Sequence, residues 1–362
     1  LSLNNTLQKV KENDFSLSRF RIDGQAHRAV AESRNYLPDP TLFASVQNIP
    51  TDTFDFGQEA MTQFRFGVRQ MFPKGDSLEI QKDLSLINAG IQQINQKISW
   101  KKLKLNTEIT WLEAWYWQKN IQLIEEDRVF LEQIRDFVQS LYQVGTKDQS
   151  DLIGAELELM KLDEKHIEAN RLFNQFRRHL DTLANENLVG TKLSMVLAKV
   201  DQVGIDLSNN NFVIKRLLQH PEILELDERV DLFEKKVNLA EQAFEPVWGL
   251  ELSYGLREGE NMDGSDRSDL LTAGVNVQLP LFTKGKQNNE LSAAKYKKES
   301  IQNKRIELLK KMRFQLENIH QQYLSTVKQI QLYENQILPT LLKQKESALN
   351  SYESDKGDFR TV

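Results

Sequence analysis

The side chains that could do chemistry are dispersed along this sequence. The chain contains no cysteine, which excludes disulfides, thiolate metal sites and cysteine nucleophiles. Gly285-Lys286 lacks both the upstream glycine and the following Ser or Thr of a phosphate-binding loop. The five histidines are scattered, and no two have the spacing of a metal-ligand pair: His27, His166, His179, His220 and His320. We therefore predict no catalytic residue, no metal site and no cofactor site, and we do not expect an enzyme.

One acidic group lies between two strand-like segments and has the composition of a calcium loop. Its spacing does not follow the EF-hand pattern, so a solvated loop is the favoured interpretation. The residues are Glu258, Glu260, Asp263, Asp266 and Asp269.

Charge and hydropathy exclude two further classes of protein. The 47 basic and 52 acidic residues give a net charge of −5, without the basic excess that nucleic-acid binding requires. No segment approaches the roughly 18 apolar residues of a membrane-spanning helix. We predict no nucleic-acid partner.

Long helices must position any functional side chains in this sequence. Between Gly75 and Gly145 the one breaker is Gly90, and between Gly285 and Gly357 it is Pro339. Apolar residues follow the second stretch at a helical period of 3.6 from Met312 onward. A helix of 66 residues would be about 100 Å long, which points to a coiled coil or another elongated assembly. The predicted helices cover residues 2–33, 77–142, 151–186, 211–244 and 285–352, with a connector at 187–210.

Four segments alternate between apolar and polar residues, which predicts strands at residues 41–48, 63–72, 247–256 and 270–282. Period two over about 9–11 residues suits a tilted membrane strand. For any single strand, a soluble hairpin with one buried face is the alternative. Two hairpins isolated among such long helices have no soluble core to cover them, which favours the membrane.

The chain contains an internal repeat. Phe72-Pro73-Lys74-Gly75 recurs as Phe282-Thr283-Lys284-Gly285, 210 positions later (282 minus 72), and Pro40 corresponds to Pro246, 206 positions later. Each unit consists of a helix, two strands, a long helix and a shorter helix, with the first unit at residues 1–205 and the second at 206–362. The second unit stops before its shorter helix, so we expect the last helix to be missing from this chain.

The order of these elements, the duplication and several short phrases resemble the outer-membrane efflux proteins of the TolC family. Residues 37–48, 59–62 and 70–73 are similar to the heavy-metal (CusC- and CzcC-like) branch. The phrases are Leu37-Pro38-Asp39-Pro40, Leu279-Pro280-Leu281-Phe282, Tyr142-x-x-Gly145 and Ala240-Glu241.

The resemblance implies a homotrimer in the outer membrane of a Gram-negative bacterium. Each protomer would give four strands to a membrane β-barrel surrounded by lipid, and its helices to an α-helical barrel in the periplasm. The channel would be a passive conduit docked to a periplasmic adaptor and an inner-membrane pump, with heavy-metal cations as one candidate cargo. An elongated coiled-coil scaffold or adaptor without transport activity is the alternative. Detergent dependence would distinguish the two, because a scaffold should stay soluble without detergent.

Strand alternation then assigns two faces. The residues predicted to face lipid are Phe64, Phe66, Val68, Trp248, Leu250, Leu252, Tyr254, Val275 and Val277, and those predicted to face the lumen are Arg65, Arg69, Glu251, Asn276 and Gln278.

The turns after the two long helices are the candidate periplasmic tip and gate. In a trimer their aspartates would form carboxylate rings, which select cations or hold a constriction. Helix N-caps and turn residues are the alternative interpretation. The candidate residues are Tyr142, Gly145, Asp148 and Asp151 in the first repeat and Tyr352, Asp355, Gly357 and Asp358 in the second.

Overall fold

The computed structural model describes residues 1–187, 191, 193–194 and 210–353. The described residues form long α-helices and one four-stranded antiparallel sheet, which confirms the predicted fold class. The helices are α1 (Leu3–Asn13), α2 (Phe15–Ser33), α3 (Ser77–Gln143), α4 (Gln149–Ala184), α5 (Asn210–Leu218), α6 (Pro221–Glu241), α7 (Lys286–Leu332) and α8 (Leu338–Glu353). The strands are β1 (Thr41–Gln47), β2 (Gln63–Phe72), β3 (Val247–Leu256) and β4 (Leu270–Gln278). The predicted connector lies almost wholly outside the described residues.

The opening helix was predicted without a break, and that prediction is wrong at Asp14. The Asp14 carboxylate accepts the Leu17 N–H at 2.9 Å and the Ser16 hydroxyl at 2.5 Å, which starts a new helix.

The helix predicted at 211–244 is broken in the same way. His220 Nδ1 accepts the Glu222 N–H at 3.3 Å, and Pro221 occupies the first position of α6. The residues from Gln242 to Phe244 then form one 3-10 turn before β3. The two breaks lie 206 positions apart (220 minus 14), so they are part of the repeat.

The helix predicted at 285–352 is interrupted just before Pro339. Because proline has no N–H and its ring collides with the carbonyl four residues earlier, an α-helix cannot pass it unchanged. A π-helical turn at Tyr333–Ile337 precedes it and separates α7 from α8.

The strand predicted at 270–282 is also shorter than expected. β4 ends at Gln278 rather than at residue 282, because Pro280 cannot donate to a strand ladder.

The sheet has the order β1-β2-β3-β4, so β1 and β4 are its edges. The two hairpins join through β2 and β3, which come from different repeats and pair from Phe64 opposite Leu256 to Phe72 opposite Trp248. The edge strands have no further strand partner among the described residues.

The chain divides into two compact units, each built from both repeats. One unit comprises residues 19–96 and 218–309 and contains the sheet. In it, ion pairs connect α6 to both long helices: Lys235 Nζ lies 2.6 Å from Asp83 Oδ2 on α3, and Asp227 pairs with Arg305 on α7. The predicted repeat boundary near residue 205 lies outside the described residues and stays a prediction.

The other unit comprises the described residues of 1–18, 97–217 and 310–362. Its main core forms around Trp111 on α3, which is fully buried with Ala114 and Leu180. Trp111, together with the partly buried Trp115, therefore serves helix packing. Lys9 on α1 pairs with Glu186 beyond the end of α4 at 2.6 Å.

Within the part of the chain that the structure describes, no helix is both long enough and apolar enough to cross a membrane.

Candidate functional site

One face of the sheet is almost entirely apolar, and it is exposed. Residues that pair directly across strands lie on the same face, and Trp248 opposite Val277, Leu250 opposite Val275, and Phe66 opposite Tyr254 are such pairs. The rings of Phe66 and Tyr254 are 5.7 Å apart. All nine residues predicted to face lipid lie on this face and are exposed, together with Leu42, Val46, Leu256 and Leu271.

The opposite face is polar and carries the three charged residues of the strands. The Glu251 carboxylate bridges two arginines of β2: Arg65 Nη2 lies 2.5 Å from Oε1, and Arg69 Nη2 and Nε lie 2.6 and 2.9 Å from Oε2. Arg65 Nε also donates to the Ser253 hydroxyl at 2.7 Å. With two positive charges and one negative, the cluster has a net charge of +1.

Phe43 of β1 completes this cluster, although it is an apolar residue on the polar face. The guanidinium carbons of Arg65 and Arg69 lie 5.3 and 5.8 Å from the centre of its ring, within the range of a cation–π contact. Gly67 makes room for it, because a Cβ at that position would lie 2.7 Å from Phe43 Cζ and 2.6 Å from the Leu252 carbonyl oxygen. The two guanidiniums are thereby held at fixed positions along β2.

All five residues predicted to face a lumen lie on this polar face. Asn276 and Gln278 of β4 are exposed, and they pair with Gly249 and Val247 of the neighbouring strand. The sheet thus separates the two predicted sets, while their contacts with lipid and lumen stay predictions.

The loops that connect the strands of each hairpin contact each other. Arg267 Nη1 donates to the Gly57 carbonyl at 3.0 Å, and Arg257 Nη1 donates to the Ala60 carbonyl at 3.1 Å. Among the acidic residues, Asp263 accepts the Ser265 hydroxyl and N–H, which lowers the pKa of its carboxyl. No group of three or more candidate metal ligands forms among the described residues.

The first predicted tip is a tight turn between α3 and α4. Gly145 adopts a φ of +76°, and the Thr146 N–H donates to the Leu141 carbonyl at 2.9 Å. Asp148 occupies the N-cap position of α4, but its exposed carboxylate makes no capping hydrogen bond. Asp151 lies in the first turn of α4. Asp148 therefore occupies the N-cap position, as the alternative interpretation expects, but its side chain does not cap the helix.

Of the second predicted tip, the structure describes Tyr352 alone. Its ring is buried against Val138 on α3 and Ala155 on α4, with Lys147 Nζ 4.6 Å from its centre. Asp355, Gly357 and Asp358 lie outside the described residues. The gate role of both tips stays a prediction.

No protein-family model matches the sequence, and no curated protein matches it either. Solved structures do match over nearly the whole chain. CusC, studied for the changes that accompany folding and transmembrane channel formation, has a TM-score of 0.80 and 15% identity, covering 99% of this chain and 84% of CusC. The outer membrane protein VceC of Vibrio cholerae has a TM-score of 0.78 and 13% identity, covering 99% of this chain and 88% of VceC. The CmeC outer membrane channel of Campylobacter jejuni has a TM-score of 0.70 and 19% identity, covering 99% and 78%.

The chain has the fold of these outer-membrane channels. The resemblance inferred from the order of elements is confirmed at this level, since the identities are too low to show more than the fold.

Within this channel fold, sequence reasoning missed Phe43, Ser253 and Gly67 as parts of the charged cluster. Alternation along β1 puts Phe43 on the other face of the strand from Leu42 and Ala44. An aromatic residue on the polar face was therefore the signal that could have pointed to this cluster. Which charges it meets depends on the pairing of β2 with β3, two strands separated by more than 170 positions (247 minus 72 is 175).

Proposed function

We propose that the chain is a subunit of an outer-membrane channel, the passive exit conduit of a tripartite efflux system. The observation that carries this proposal is the exposed apolar face of a sheet whose two edge strands pair with no further strand of the described residues. It is supported by the likeness in fold to outer-membrane channels and by the polar, charged opposite face.

The apolar face is costly in water and favourable in lipid. A contiguous apolar surface larger than a few hundred Å² is rare on soluble monomers and marks contact with protein or membrane. Here the surface spans all four strands, from Leu42 and Val46 on β1 to Val275 and Val277 on β4. A bilayer would remove it from water without any further protein element.

The open edges make a single copy incomplete in a membrane. Backbone N–H and C=O groups that face hydrocarbon must be hydrogen-bonded, so a sheet in lipid has to close on itself. Pairing β4 of one copy with β1 of the next satisfies both edges, and three copies would close a barrel of twelve strands. The cluster of Arg65, Arg69 and Glu251 would then line its lumen.

The efflux role adds partners that supply energy and cargo. An inner-membrane pump would drive transport, and a periplasmic adaptor would dock the pump to the helical part of the channel. The protein would lie in the outer membrane of a Gram-negative bacterium, with a large periplasmic part. Export of heavy-metal cations stays a prediction, and the net positive strand cluster does not favour it over other cargo.

Solute release from vesicles tests the proposal. We expect the detergent-purified protein, reconstituted into liposomes, to release small trapped solutes while retaining large dextrans. A coiled-coil scaffold would stay dispersed without detergent and would leave the vesicles tight. Tight vesicles despite incorporation of protein would overturn the channel proposal.

A further inference from the structure

One of the contacts between the two repeats (the internal joint) lies where the helices adjoin the sheet. The α6–β3 segment (residues 242–246) covers the β2–α3 turn (residues 73–76). Gln242 Oε1 accepts the Asp76 N–H at 3.0 Å, and Lys74 Nζ donates to the Ala243 carbonyl at 3.3 Å. This contact joins the end of the helix in the second repeat to the start of the long helix in the first.

Among the described residues, no hydrogen bond or ion pair joins the corresponding parts of the opposite repeats. The counterpart of the α6–β3 segment is the α2–β1 segment (residues 34–40), because the Asp14 and His220 breaks and the Pro40 and Pro246 positions are both separated by 206. The counterpart of the β2–α3 turn, 210 positions later, is residues 283–286, at the end of the β4–α7 turn (residues 279–285).

Two glycines show the difference directly. At Gly75 in the β2–α3 turn, an added Cβ would collide with the side chain of Gln242 and contact Glu245. At Gly285 in the β4–α7 turn, an added Cβ would meet no atom within 4 Å. The second turn lacks the cover that the first one has.

Both uncovered parts carry large, exposed apolar side chains. Tyr36 of the α2–β1 segment is 72% exposed, while Leu281 and Phe282 of the β4–α7 turn are 73% and 92% exposed. Beside Phe282 is a groove of about 200 Å³ that also contains Gln287. The side-chain oxygen of Gln287 is buried and has no hydrogen-bond partner among the described residues, so a tyrosine hydroxyl would supply a missing donor.

We propose that the α2–β1 segment of a second copy of this chain binds the β4–α7 turn of the first, with Tyr36 and Leu37 in contact with Leu281 and Phe282. In this contact between copies (the proposed joint), Tyr36 and Leu37 take the place that their counterparts Gln242 and Ala243 have in the contact within one chain. This inference rests on the assembly proposed above, and it specifies which residues join neighbouring subunits outside the strands. Aromatic and aliphatic contacts replace the polar ones of the internal joint, as suits an interface core.

Cysteine cross-linking tests the joint without background, since the chain has no cysteine. The test variant carries Leu37→Cys and Lys284→Cys. The matched control carries Ala243→Cys and Lys74→Cys, the equivalent positions of the internal joint, whose Lys74 Nζ and Ala243 O are 3.3 Å apart. A short bismaleimide is added to detergent-purified protein, and linked peptides are identified by mass spectrometry.

We expect the control to link within one chain and the test variant to give species of two and three chain masses. Mixing a chain that carries only Leu37→Cys with one that carries only Lys284→Cys should give linked pairs and no larger species. A link of residue 37 to residue 284 within one chain, or no link while the control links, would overturn the joint. Linked trimers without solute release would refute the channel proposal and support the contact between copies. Solute release without the link would refute only the contact between copies.

Discussion

Tyr142 and Tyr352 occupy equivalent positions in the two repeats, yet the first is 41% exposed and the second only 3%. Tyr352 fills the space between α3 and α4 against Val138 and Ala155, and the Lys147 ammonium covers its ring. The second repeat thus contributes a core residue to the hairpin of the first, while Tyr142 makes no comparable contribution.

Replacing Tyr352 by alanine should loosen this end of the helical unit. Removing a large aromatic side chain from a core costs about 3–5 kcal/mol, because it removes apolar contacts and leaves a cavity. Hydrogen exchange should accelerate in the α3–α4 turn and in α8. Tyr142→Ala is the matched control, and an exposed position should change stability by about 0.5 kcal/mol or less. Equal effects of the two variants would contradict the packing described for Tyr352.

A charge on the apolar face should prevent membrane assembly. Val275 and Asn276 are neighbours on β4, both exposed, and they lie on opposite faces. An arginine on the lipid side near the bilayer midplane costs about 2–4 kcal/mol, whereas one on the lumen side does not meet hydrocarbon. We expect Val275→Arg to reduce the yield of protein in the outer-membrane fraction strongly and Asn276→Arg to reduce it little. Similar yields would refute the assignment of the two faces.

The charged cluster should set the sign of ion preference in the strand region. Glu251→Gln leaves two unpaired positive charges per chain, while Arg69→Gln leaves a net charge of zero. A ring of positive side chains favours anions in the lumen. In a salt gradient, the reversal potential should therefore shift toward anion preference for Glu251→Gln and toward cation preference for Arg69→Gln. Shifts in the same direction would show that the cluster does not line the conduction path.

The pair of Lys235 and Asp83 should give a stability difference that disappears at high pH. The hydrogen bond to Asp83, and then its charge, raise the pKa of Lys235 above its ordinary value of 10.5. The folded state therefore binds this proton more tightly than the unfolded state, so the stabilisation is present below pH 10.5 and is lost as pH rises through the folded pKa. Asp83→Asn should lower the melting temperature slightly at pH 8, and the difference should vanish once the pH has risen above the folded-state pKa of Lys235.

Asp127→Asn, an exposed change on the same helix, is the control for this pH experiment. A destabilisation by Asp83→Asn that stayed constant while the pH rose through the range in which Lys235 loses its proton would argue that the ion pair is not its cause.

Periodicity alone predicted much of this fold, and its failures have local causes. The long helix α3 and the strand β2 were predicted within one residue of their ends, because few breakers interrupt the first and strict alternation defines the second. The break at Asp14 was missed because one capping carboxylate outweighs the helical pattern around it. The π turn before Pro339 depends on how the backbone accommodates a single ring.

The candidate site was predictable in its faces and not in its contacts. A period of two fixes which residues share a face, so Arg65, Arg69 and Glu251 could be grouped in advance. That Glu251 bridges both arginines over the ring of Phe43 depends on the register between strands of different repeats. A single-sequence pattern carries no information about that register.

Single-channel recording in planar bilayers tests the central claim most directly. Addition of the detergent-purified protein should produce discrete steps of ionic current, and Val275→Arg protein at the same concentration should produce none. Steps of similar frequency with both proteins, or an unchanged baseline with the parent protein after verified insertion, would contradict the account of this chain as a channel subunit.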